Sequence, residues 1–119
     1  YQKALQHAQS LFLGGARLVV MDEVFHLAAL REKVECFCGE RGINVVWVEV
    51  RCPYSVVVAR LNRCDRDAHL LSRDEALLMY RMFSEIFEPF EDKRGSHILV
   101  QNVGFAAIDH IVRFIQARM

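Results

Sequence analysis

The chain has 119 residues, 53% of them hydrophobic, and no formal net charge at pH 7. That length allows one domain or part of one, and the apolar fraction, with eight Phe and one Trp, excludes a disordered chain. The charge balance excludes broad electrostatic capture by nucleic acid or by a membrane surface. No run approaches the roughly 18 apolar residues that span a bilayer, and the polar amino end, Tyr1-Gln2-Lys3-Ala4-Leu5-Gln6-His7, lacks the pattern of a signal peptide. A cytoplasmic protein is therefore expected. No initiator Met precedes Tyr1, which suggests that the chain belongs to something longer. Cys36, Cys38, Cys52 and Cys64 read as reduced thiols, since Cys36-Phe37-Cys38 is too closely spaced for a zinc knuckle.

In chain order, Ala4, Leu5, Ala8, Leu11 and Phe12 mark a helix over 1–13 that Gly14-Gly15 ends. Leu18-Val19-Val20-Met21 reads as a buried parallel strand ending in Asp22. Val24 to Glu40 is a predicted helix, closed by Gly39 or Gly42, and Val45 to Val50 a strand covered on both faces. Pro53 suits the first turn of a helix over 54–63, and 64–71 reads as a polar loop. Ser72-Arg73-Asp74-Glu75 has the form of a capping box, opening a helix that reaches Phe87. A charged connection around Pro89 leads to a strand over 98–102 and a last helix over 104–118.

Strands alternating with helices imply an α/β fold: a three-layer parallel sheet with flanking helices. Three parallel strands leave an open edge, so the sheet is expected to be incomplete at its N-terminal side, and that edge could pair two copies of the chain. Ligands of open α/β sheets bind at the carboxyl ends of the strands. Asp22 is predicted there, where an acid can hold Mg²⁺ through water or take a proton from a hydroxyl. The competing structural role is to favour the positive end of the next helix. Arg60, Arg63 and Arg66 run from a helix end into a polar loop, a placement that suits a lid over phosphate. Their competing role is an ordinary solvated charge face shared with Asp65 and Asp67.

The run Tyr1…Leu5…Ala8…Leu11…Gly15-x-x-Leu18-Val19-Val20-Met21-Asp22-x-x-Phe25, then Arg31, then Gly42 before a strand, resembles the second half of small P-loop kinases. These are the AAA-type ATP-binding proteins that group with polynucleotide kinase, zeta toxin and gluconate kinase. Ala59-Arg60-Leu61-Asn62-Arg63 before the loop, Ser72-x-x-x-Ala76, and Phe87-Glu88-Pro89 resemble the family's lid helix, helix start and turn. The resemblance covers nearly the whole chain; the motifs are short, and their order carries it. It implies one partial P-loop kinase-like domain over 1–119 with a lid at 64–71. The implied activity is transfer of the γ-phosphoryl of ATP to a hydroxyl of a small molecule or a polynucleotide end, with Mg²⁺. It makes Asp22, Arg60, Arg63 and Arg66 catalytic. Arg31, Glu23 and His26 fall on the acceptor side, and Asn102 and Val103 against the adenine.

Two features depart from the family. The chain contains no Gly-x-x-x-x-Gly-Lys-Ser/Thr, the loop whose amides, Lys and hydroxyl hold the phosphates and Mg²⁺. Arg60 and Arg63 are three apart where the family more often has four, although either spacing keeps them on one helix face. The alternative reading is accordingly a nucleotide-binding or degenerate module without catalysis. A receiver-like domain is disfavoured, because the further acid and the strand-end Lys it needs are missing from the right places.

Overall fold

The computed structural model describes residues 1–63, 70–90, 96–104 and 106–119. The chain divides into two compact units, Tyr1–Asn44 and Val45–Met119.

The first unit holds helices α1 (Gln2–Leu13) and α2 (Ala28–Gly39). α1 ends where Gly15 takes φ +99°, a conformation that a Cβ would strain, and the chain turns as Ala16 N–H donates to Leu11 O. Gly42, with φ +66°, is the left-handed residue after α2, and Ile43 N–H donates back to Cys38 O. Leu5, Phe25 and Val34 are buried.

The strand expected at Leu18–Met21 does not form. Residues 18–26 carry no regular secondary structure, with Leu18 53% and Val20 79% exposed. A strand is defined by the backbone beside it, and among the described residues no backbone pairs with this run. Phe25 then takes φ +46°, and Leu27 is the extended N-cap of α2. Helix therefore begins at Ala28, four residues later than the apolar pattern suggests.

The second unit is β1 (Trp47–Arg51), α3 (Tyr54–Arg63), α4 (Arg73–Ile86), β2 (His97–Gln101) and α5 (Ala106–Gln116). β1 and β2 run parallel, in register from Trp47↔His97 to Arg51↔Gln101. α5 packs on β2 and α3 on α4. Pro53 offers its carbonyl to Val56 and Val57 at the start of α3. Ser72 caps α4, its Oγ accepting from Glu75 N–H at 3.2 Å. Ile98 and Val100 are buried on one sheet face; Trp47 and Glu49 are buried on the other. Coverage is nevertheless partial, with Val50 55% and Leu99 44% exposed.

The expected three-layer parallel sheet is thus corrected. The described residues form five helices and one two-stranded parallel sheet, and helix predominates. Two of the three strand signals found each other. The third, at Leu18–Met21, has the composition of a strand but no strand partner among the described residues.

Candidate functional site

The carboxyl ends of β1 and β2 meet at Cys52 and Asn102. Asn102 N–H extends the ladder by donating to Arg51 O at 2.7 Å, and Val103 N–H then closes a tight turn onto Gln101 O at 2.9 Å. Cys52 is held from three sides. Its thiol donates to Asn102 O at 3.5 Å, its carbonyl accepts from the Tyr80 hydroxyl at 2.8 Å, and Arg60 Nη1–H donates to its sulfur at 3.6 Å. One residue of β1's end thereby joins α3, α4 and the loop after β2.

An aromatic and cationic wall adjoins it. The Tyr54 and Tyr80 rings stand 5.7 Å apart. Arg81 donates to the Tyr54 hydroxyl at 2.7 Å, with its guanidinium 5.2 Å from that ring's centre. Beyond the edge, Val103, Gly104, Ala107 and His110 help line an open concavity of about 310 Å³ at the amino end of α5. Its walls are mainly apolar, with Gln101 and His110 supplying polar groups.

A second cluster lies on the Trp47 face. The Glu49 carboxylate is buried, with a side chain 7% exposed. Oε1 accepts from Arg51 at 2.7 Å, and Oε2 lies 2.9 Å from His97 Nε2. The His97 ring stacks on Phe90 with centroids 4.3 Å apart, and Phe90 in turn lies 5.7 Å from Trp47.

Of the residues singled out from sequence, Arg60 and Asn102 are brought together, bridged by the Cys52 sulfur. Val103 follows in the same loop. Arg63 is exposed in the last turn of α3, where a cation also favours the helix's negative end. Arg66 and most of the expected lid lie outside the described residues. Asp22 and Glu23 are exposed and His26 is half-buried, all in the first unit. Arg31 is buried, and its Nη1–H donates to Phe25 O at 2.7 Å.

Sequence reasoning passed over Cys52, Tyr80, the Tyr54–Arg81 pair and the Glu49–His97 pair. Only Glu49 left a signal, as the one charge inside the apolar run Val45 to Val50. Among the described residues no group of three His, Cys, Asp or Glu side chains could hold a metal ion. Mg²⁺ that keeps its waters and leans on nucleotide phosphates asks for only one or two carboxylates, a requirement compatible with Asp22 acting through water. Away from the edge, burial pushes the Cys38 thiol above its ordinary pKa, and the Arg41 guanidinium offsets part of that rise.

No helix among the described residues is long and apolar enough to cross a membrane. Comparison of the chain with protein-family models, with curated proteins and with solved structures returns no match.

Proposed function

We propose that the chain is the nucleotide-handling part of a phosphotransferase that passes the γ-phosphoryl of ATP to a hydroxyl of a small molecule or a polynucleotide end. The observation that carries this reading is the bridge from Arg60 through Cys52 to the Asn102 carbonyl, at the carboxyl ends of two parallel strands. In larger open α/β sheets ligands bind at that end of the strands; here the end belongs to a two-stranded pair. A planar guanidinium serves either a base face or a phosphate; in the loop at 102–104 the Asn102 and Val103 N–H groups are already bonded, which leaves its carbonyls, each with two lone pairs, to a base edge. The concavity beside it has room for part of a nucleoside. Phosphoryl transfer asks mainly for positioning and charge neutralisation. In this reading Arg63 and Arg66 keep the lid role that the resemblance implies; Asp22 lies in the first unit, and its role as the acid rests on the resemblance alone.

A second reading is a module that binds nucleotide without turning it over; the given residues include no Gly-x-x-x-x-Gly-Lys-Ser/Thr, and a longer parent that lacks it too would favour this reading. Titration of the chain with AMP, ADP and MgATP, followed by NMR, tests the proposal. Weak binding of all three, with shifts at Arg60, Asn102, Val103 and His110, is the expected result. Micromolar MgATP binding would contradict the missing cradle, and the absence of shifts at the edge would refute the nucleotide site. Linking the chain to a phosphate-cradle segment then separates the two readings, because only the first predicts transfer that Asp22→Ala reduces by on the order of 10²-fold.

A further inference from the structure

Phe25 is the one non-glycine residue with positive φ among the described residues, at +46°. A bulky side chain in the left-handed region is strained, and such strain persists only where surrounding contacts over-determine it. Here the contacts are explicit. The Phe25 ring is buried and lies 5.3 Å from the Tyr1 ring. The Phe25 carbonyl accepts from Arg31 Nη1 at 2.7 Å. Arg31 is 1% exposed, the largest fully buried side chain among the described residues. Taking a guanidinium out of water is unfavourable unless its donors are satisfied, and one donor of Arg31 is directed at the strained residue.

Two carboxylates, Asp22 and Glu23, stand just before the turn and are exposed. Leu18, Val20 and Val24, all exposed, belong to the same stretch, whose sequence prefers extended backbone.

We infer that Arg31 is a positioning residue. It holds Phe25 in the left-handed turn and so sets the direction in which Asp22 and Glu23 leave the fold. When that hold is released, residues 18–25 relax toward the extended, negative-φ conformation that their sequence favours. Arg31 then acts on the acid's placement. The chemical role of Asp22 rests on the phosphotransferase reading; the turn does not.

NMR of the full 119-residue chain without nucleotide tests the inference. The expected signature is a strong intraresidue Hα–HN NOE at Phe25, together with slowly exchanging guanidinium protons on Arg31. In Arg31→Met, which keeps the unbranched stem, that NOE drops to the strength of its neighbours' and the amide signals of 18–25 shift, while those of Trp47 and Val100 stay. Arg31→Lys, which keeps the charge and a donor, recovers the NOE. A weak Phe25 NOE in the unmodified chain overturns the inference without any variant, as does an unchanged NOE in folded Arg31→Met. The nucleotide reading fails separately: AMP leaving the Arg60 and Val103 signals unmoved rejects that reading and spares the turn.

Discussion

Replacing Glu49 by Gln removes a buried charge that two partners share, and its effect can be worked from the geometry. A hydrogen bond to a charged group contributes about 1.5–3 kcal/mol when desolvated. The His97 side chain is 20% exposed and its contact falls in the lower part of that range. The Arg51 side chain is 55% exposed, so its contact resembles a surface ion pair, worth about 0–1 kcal/mol. Gln keeps one acceptor but loses the charge, and its NH₂ replaces the second carboxylate oxygen. The expected loss is about 2 kcal/mol in the second unit, or on the order of 10 °C in Tm for a unit of that size. Trp47 is the chain's single Trp. It is buried on the same strand face as Glu49, so its fluorescence during urea unfolding reports on this unit. Arg51→Ala serves as the control and should lose less than about 1 kcal/mol. A loss below about 0.5 kcal/mol for Glu49→Gln, no larger than the control's, would show that the carboxylate contributes only as much as a surface pair, and the reasoning would fail.

Ser72→Ala removes the cap of α4 and should destabilise the same unit by about 1 kcal/mol in the Trp47 assay; no change would mean the cap is not formed in solution. Tyr80→Phe deletes the hydroxyl bound to Cys52 O and should lose about 1 kcal/mol. An Arg60 signal that stays put in this variant would show that α4 does not support the edge. Cys38 holds its proton more tightly in the folded chain, because burial raises its pKa. That stabilisation is present below the unfolded thiol's pKa and is lost as pH rises through the folded value. Iodoacetamide at pH 8 should therefore modify exposed Cys36 before Cys38, and urea should abolish the difference; equal rates in the folded chain would refute the burial.

Local signals carried most of the helices. The Ser72 cap, Pro53 and the apolar stripes depend on neighbours within a turn or two, and α1, α3 and α4 lie close to where those signals place them. Strands behaved differently because a strand's existence depends on a distant partner. Val45 to Val50 and Ile98 to Asn102 have each other across a crossover of two helices. Leu18 to Met21 reads equally well as a strand yet pairs with nothing described. The left-handed Phe25 was illegible for a related reason: nothing in a phenylalanine favours that conformation, and what holds it is an arginine six residues on.

The same distinction governs the candidate site. Helical spacing fixes that Arg60 and Arg63 share a face, but it says nothing of what that face meets. Arg60 meets a sulfur eight residues back in the chain, and that sulfur meets a carbonyl fifty residues ahead. Neither separation leaves a periodic trace, and a cysteine after a strand is ordinarily a small apolar residue. Here its main-chain and side-chain groups tie together two helices and the loop after β2. The edge's geometry is therefore set by Cys52 and Tyr80, whereas the chemistry proposed for it belongs to Arg60 and the loop at Asn102. Substitutions at the first pair should move the signals of the second, while substitutions at Arg60 should change nucleotide binding and leave the Tyr80–Cys52 bond in place.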